Sequence, residues 1–266
     1  MTICIAASCE GSKKCVVGAD REVTATGLSL EFEHEKKIDT IGQSCAVMAA
    51  GDSLLAAEVI EKTRREVIVR ALSTIQQIAE SLAAIYLQCH LERAESVILR
   101  PRGLTWGDYQ QFGAHRLPLQ MHMNIDQLLF NFGLGAVEFL VAGVDENGAH
   151  IFRIHYDGIA GGSWVEWCDS LGFRTIGSGG SHAAILLALQ RQQKMLPVGE
   201  TLFNVYSAKK NAEIAPGVGS QTDIAIVDSS KVTFLEAAAF KKMDDLRQEM
   251  SAAYKVPPEK VKDLYV

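Results

Sequence analysis

The order of its segments predicts an α+β fold for this chain: two antiparallel sheets packed face to face, each covered outside by helices, in four layers αββα. Three observations predict it. Short apolar runs come in pairs joined by turns, the pattern of antiparallel hairpins. Stretches with apolar residues at helical spacing come in blocks, in the order strands, two long helices, strands, two helices, strands, one helix. Most of the strand runs are apolar enough to need burial between layers.

The 266 residues would fit one large domain or two small ones. No repeat at solenoid periods and no linker interrupts them, so the reading is a single domain over 1–266, with 255–266, which includes Pro257-Pro258, a flexible tail. With 48% hydrophobic and 22% charged residues, the composition is that of a soluble globular chain with a sizeable core. The net charge of -6 gives no basic footprint for nucleic acid. None of the six cysteines (Cys4, Cys9, Cys15, Cys45, Cys89, Cys168) forms CxxC, and four lie in apolar runs. Buried free thiols in a reducing compartment are expected rather than a disulfide framework. No signal peptide and no bilayer-spanning run is evident, and together these point to the cytoplasm.

Taken in order, Thr2 to Ser8 and Lys14 to Ala19 read as a hairpin around Glu10-Gly11-Ser12-Lys13, closed by Asp20-Arg21-Glu22. A short irregular segment containing Gly27 follows. Lys36 to Ile41 and Ser44 to Ala50 pair around Gly42-Gln43. Asp52 or Ser53 caps a helix running to about Arg70, and Ser73 starts a second. Thr105 with Asp108 forms a capping box for Trp106 to about Ala114. His115 to Gly135 has no clear pattern, apart from a helical turn at Ile125 to Phe132. Val137 to Val144 and Ile151 to Tyr156 flank Asn147-Gly148, a dipeptide suited to a tight hairpin turn. Phe173 to Ile176 is a strand entering Gly177-Ser178-Gly179-Gly180-Ser181. Helices over Ala183 to Lys194 and Glu200 to Ile214, a last strand pair at Ile224 to Val227 and Val232 to Leu235, and a helix over Glu236 to Tyr254 complete the chain.

Chemistry enters at the start. Thr2 follows Met1; once Met1 is removed, Thr2 carries a hydroxyl and a free α-amine, a nucleophile and a base on one residue. Such an amine has a reference pKa of about 7.7–8.0, so near neutral pH part of it is unprotonated.

Separated motifs then support it. Val17-Gly18-Ala19-Asp20, Lys36-Lys37-Ile38, Met48-Ala49-Ala50-Gly51, Ile176-Gly177-Ser178-Gly179-Gly180 and Thr222-Asp223-Ile224-Ala225-Ile226-Val227 occur in that order behind Thr2. The arrangement resembles the N-terminal nucleophile hydrolases of the proteasome β-subunit type, and its glycine-serine-glycine loop is closest to the bacterial HslV-type peptidase. The resemblance implies the fold of that class and a threonine peptidase: Thr2 as nucleophile, Lys37 lowering the amine pKa by its charge, and Asp20 orienting Lys37. It further implies that the Gly51 amide stabilises the oxyanion, a kind of donor whose loss costs about 100–1000-fold in rate, and that Ser178 positions the amine. Homo-oligomeric rings, a peptide or unfolded-protein substrate and an ATPase unfoldase as partner are implied in the same way. Neither cofactor nor metal, nucleic acid nor membrane enters the reading.

The chain departs from the pattern. Glu22 stands where a basic residue is usual, with Arg21 one earlier, and Glu213, Ser220 and Asp223 all compete for the late supporting position. Leu104 to Asn131 is longer than the family needs, with ring interface or substrate channel as its possible roles. Plainer readings exist for each residue: Asp20 as a strand cap, Lys37 as an edge charge, Gly51 as a helix opener. The loop Gly177 to Ser181 could also cradle phosphate, though it lacks the lysine of a P-loop. His115 and His122 lack metal-ligand spacing, and His182 starts a helix. Leu264-Tyr265-Val266 resembles an ATPase docking tail but reads as frayed. Two further functions fit the same fold: a non-catalytic ring subunit, or an amidase acting on a small molecule.

Overall fold

The computed structural model describes residues 2–25, 30–33, 36–132, 137–157 and 162–253. Strands β1 (Cys4–Cys9) and β2 (Lys14–Asp20) form the expected hairpin, with Cys9 opposite Lys14. Glu10, Gly11 and Ser12 all take positive φ in its loop, where the chain must reverse within four residues. The segment read as irregular is a second hairpin, β3 (Glu22–Ala25) with β4 (Leu30–Glu33). Strands of four residues give too short an alternation to stand out in sequence. Gly27 and the C-terminal tail lie outside the described residues.

Strands β5 (Ile38–Thr40) and β6 (Cys45–Gly51) lead into helices α1 (Ser53–Arg70) and α2 (Ile75–Ala94). Asp52 caps α1, its carboxylate accepting the amides of Leu54 and Leu55 at 3.0 and 3.1 Å. The second helix starts two residues after Ser73, at Ile75: Thr74 caps it, with Gln77 completing a capping box. A turn of π-helix (Glu95–Leu99) and a 3-10 turn (Arg100–Arg102) follow. Then come α3 (Trp106–Arg116) and α4 (Leu119–Phe130). The Thr105–Asp108 box is present, Thr105 Oγ1 accepting the Asp108 amide at 3.2 Å and Asp108 accepting the Thr105 amide at 3.0 Å. A complete helix thus occupies part of the stretch that had no clear pattern.

Strands β7 (Val137–Asp145), β8 (Gly148–Asp157), β9 (Gly162–Trp167) and β10 (Phe173–Ile176) come next. The pairing of Asp145 with Gly148 corrects the turn: Glu146-Asn147 are its central residues, and Gly148, with φ 116°, begins the return strand. Strand β9 was not foreseen. Helix α5 (Gly180–Leu189) stops five residues short of the expected Lys194, and α6 (Val198–Ala212) starts directly after Pro197, whose ring suits a helix entrance. Strands β11 (Thr222–Val227) and β12 (Val232–Phe234) and helix α7 (Ala237–Ala253) end the described chain.

The larger sheets have the orders β10-β1-β2-β11-β12 and β5-β6-β7-β8-β9, and every pairing in them is antiparallel. Three apolar seams hold the elements together. Leu55, Val59, Ile78, Leu82 and Tyr86 of α1 and α2 pack on Val47, Phe139, Val141 and Phe152 of the second sheet. Cys4, Ala6, Val17 and Ala225 of the first sheet meet Met48, Leu140, Ala142 and Ile151 of the second. Ile3, Ile5, Val16 and Ile224 on the other face of the first sheet pack against Leu187, Val205, Tyr206 and Ala212 of α5 and α6. The succession is helices, sheet, sheet, helices. A small separate core of Ile98, Leu99, Tyr109 and Ile125 holds α3 and α4 together. All six cysteines are buried and free. No helix among the described residues is long and apolar enough to cross a membrane.

Candidate active site

Strand β1 lies between β2 and β10, with Cys4 opposite Ala19 on one side and Ile176 on the other. The residues just beyond those ends therefore meet at Thr2: Asp20 from β2 and the Gly177–Gly180 turn after β10. Thr2 is buried, at 4% exposure, and Asp20 is wholly buried.

The Asp20 carboxylate is the hub. Its Oδ1 accepts the Thr2 hydroxyl at 2.5 Å, the Ile3 amide at 3.0 Å and the Lys37 ammonium at 2.8 Å. Its Oδ2 accepts the amides of Glu22 at 3.2 Å and Gly219 at 3.0 Å. Lys37 also donates to Thr2 Oγ1, so hydroxyl, carboxylate and ammonium form a closed triangle. A buried carboxylate needs this many donors to remain charged away from water. Lys37 reaches the triangle from the residue before β5, with its side chain 12% exposed.

The backbone of Thr2 is held from the other side. Its N–H donates to Ser178 Oγ at 3.2 Å, and its carbonyl accepts the Gly179 amide at 3.3 Å and the Ser178 hydroxyl at 3.4 Å. Gly177 permits this approach. It takes φ 89°, and a Cβ there would lie 2.3 Å from the Thr2 carbonyl oxygen. The Gly179 and Gly180 amides are committed to the Thr2 and Gly177 carbonyls, which removes two donors that a phosphate cradle would use.

Four of the five residues singled out in the sequence, Thr2, Asp20, Lys37 and Ser178, thus come together. Gly51 does not bond to them. It ends β6 opposite Val137 and is exposed. It is two residues beyond Ala49, whose carbonyl accepts the Cys4 thiol at 3.5 Å, so it lies at the same end of the sheets as Thr2.

The late candidates have other duties. Asp223 accepts both Nε and Nη2 of Arg21, at 2.8 and 2.5 Å. Glu213 is paired with Lys209 and Lys210, and the Ser220 carbonyl accepts from both lysines. Sequence reading missed Gly219, whose amide reaches Asp20, and Lys209, which bonds the Gly219 carbonyl behind it. Lys209 had a signal: it follows Val205 by one helical turn and so falls on the apolar stripe of α6.

His122 lies 3.1 Å from Asp126 and stacks on Tyr109, away from the triangle. The His182 carbonyl accepts from Asn211 in the first turn of α5, and the His115 side chain lies outside the described residues. Among the described residues, no group of three or more His, Cys, Asp or Glu side chains is placed to hold a metal. No protein-family model matches the chain, and no curated protein matches its sequence.

Proposed function

We propose that the chain is an N-terminal nucleophile hydrolase of the proteasome type, with the fold of that class, and that it cleaves peptide bonds with Thr2. The observation that carries this reading is the buried triangle of Thr2 Oγ1, Asp20 and Lys37, with the Thr2 nitrogen directed at Ser178.

While Thr2 is joined to Met1, its nitrogen is an amide with no basic lone pair. Loss of Met1 makes it an amine, held by Ser178. The amine takes the hydroxyl proton as Oγ attacks the substrate carbonyl carbon, then gives that proton to the leaving nitrogen. Water, deprotonated by the same amine, hydrolyses the ester that remains. The Lys37 ammonium favours the neutral amine and stabilises the developing alkoxide, and Asp20 fixes its direction. The Gly51 amide is the proposed oxyanion donor, from its place at the end of β6.

Peptides or unfolded proteins as substrate, assembly in rings, an ATPase partner and a cytoplasmic setting belong to the same proposal and rest on the motif resemblance. Exposed Leu54, Ile68 and Val69 on α1 and Leu119, Met123 and Phe130 on α4 supply apolar surface that assembly would cover.

The test is intact-mass analysis of purified protein before and after a threonine-directed electrophile, with fluorogenic peptides as substrates. Loss of Met1, one label on Thr2, and a fall of about 10⁴-fold or more in Thr2→Ala are expected. A Thr2→Ala protein as active as wild type overturns the reading. Retained Met1 with ring assembly and no labelling would favour a non-catalytic subunit. Labelling of a monomer that turns over small amides but not peptides would favour an amidase.

A further inference from the structure

We propose that Lys209 is a positioning residue of this site, acting through the residue Gly219 to restrain the Asp20 carboxylate. Its kinetic consequence rests on the hydrolase reading; its structural consequence does not.

The Lys209 side chain is 0% exposed. Lysine is rarely buried so completely unless paired. All three of its N–H donors are used: on Glu213 Oε1 at 2.6 Å, on the Gly219 carbonyl at 2.6 Å and on the Ser220 carbonyl at 3.0 Å. Two consecutive carbonyls turned toward one ammonium fix the peptide planes on both sides of Ser220. The amide of the same Gly219 faces the other way, onto Asp20 Oδ2 at 3.0 Å. A single glycine therefore stands between a buried ammonium and the buried carboxylate that holds Thr2 and Lys37.

Fastening the loop alone would not require this. Lys210, partly exposed, already pairs with Glu213 at 2.9 Å and bonds the Ser220 carbonyl at 3.2 Å. What Lys209 adds is the Gly219 carbonyl, which anchors the peptide unit next to the one whose N–H meets Asp20 and so restrains Gly219 from one side. Burial lowers the Lys209 pKa below the ordinary lysine value, opposed chiefly by Glu213, and Asp20 is among the charges it feels. The sequence supports the arrangement: Val205, Ala208 and Ala212 place this turn of α6 against the first sheet, with Glu213 one turn further on.

The experiment compares full-length wild type with Lys209→Met. By NMR, the Gly219 amide should exchange at least tenfold faster in the variant, with the β1 amides unchanged. With a threonine-directed electrophile, the maximal labelling rate should fall about tenfold at an unchanged half-saturating concentration, a split that general loosening of the fold would not give. A folded Lys209→Met with Gly219 exchange and maximal labelling rate both within twofold of wild type overturns the proposal. So does faster Gly219 exchange with undiminished labelling of a reactive Thr2. Should Lys209→Met fail to fold, Glu213→Gln decides: exchange at Gly219 about threefold faster supports the coupling, and unchanged exchange overturns it. A wild type that never reacts at Thr2 defeats the hydrolase reading, and Gly219 exchange then judges the Lys209 link alone.

Discussion

Thr2 donates its hydroxyl to Asp20 across 2.5 Å, and the same carboxylate oxygen takes the Lys37 ammonium. Five donors converge on Asp20: three on Oδ1 and two on Oδ2. Asp20→Asn must turn an NH₂ group toward one of these sets, donor against donor, whichever way the amide lies. It also removes the counter-charge of a mostly buried ammonium. The expected cost is about 3–5 kcal/mol in unfolding free energy, the range for breaking a buried pair. Chemical denaturation checks it, and labelling of Thr2 should fall at least a hundredfold.

Lys37 can be separated from Asp20 by its pH signature. Lys37→Met removes the positive charge that disfavours protonation of the Thr2 amine. The amine then keeps its proton to higher pH, so the acid limb of the rate profile should move upward while the maximal rate falls. Lys37→Arg keeps the charge but must fit a larger planar group where the ammonium already touches both Asp20 and Thr2. The limb should therefore stay near its wild-type position with a reduced rate. A pH–rate profile of electrophile labelling distinguishes the two outcomes.

Gly177→Ala tests the other side of Thr2. The new methyl group would lie 2.3 Å from the Thr2 carbonyl oxygen, at a residue with φ 89°. Both partners are backbone, so the loop must retreat and carry Ser178 and Gly179 with it. A loss of about 2–3 kcal/mol is expected from left-handed strain and lost hydrogen bonds. For a chain of this size that lowers Tm by roughly 5–10 °C. Thermal unfolding and Thr2 labelling should both report it.

The parts of this site that were legible in sequence are those set by local pattern. Asp52 before a helix, Thr105 three residues before Asp108, and the strand from Phe173 into a glycine loop each follow from a few adjacent residues. Thr2 was singled out by its place behind Met1, and Asp20, Lys37 and Ser178 by the motif resemblance; each of them sits at the end of such an element. The missing parts depend on contacts between distant segments. The amide of Gly219 comes to Asp20 across 199 residues of chain, and no local pattern announces it. Strand β9 shows itself only through its pairing with β8, where Trp167 lies opposite Phe152. The Lys209-Lys210 doublet looks like a solvated face until the apolar stripe through Val205 is followed to the end of the helix.

Alkaline pH should unfold this protein through its thiols. Burial pushes Cys4 and Cys45 up to about 12 and Cys9 and Cys168 up to about 11, from an ordinary value of 9.0. Above pH 9 the unfolded chain gives up protons that the folded chain retains, so the unfolded state binds fewer protons and stability falls as pH rises. The stability from these groups is complete below 9 and is lost between 9 and about 12. Each such thiol contributes a slope of up to about 1.4 kcal/mol per pH unit in that window. Urea unfolding at pH 8, 9 and 10 in the presence of reductant measures it, and Cys45→Ala should make the dependence shallower.

Because β1 is flanked on both edges, by β10 and by β2, the hydroxyl at position 2 is aimed by the count of residues behind it. Side chains along a strand alternate between faces, so dropping any one residue from Cys4 to Cys9 would turn that hydroxyl away from Asp20 or tear the strand from both neighbours. Scanning by deletion should thus find a stretch that tolerates conservative exchanges of side chain yet no change of length. Reactivity and foldedness should disappear there in the same clones.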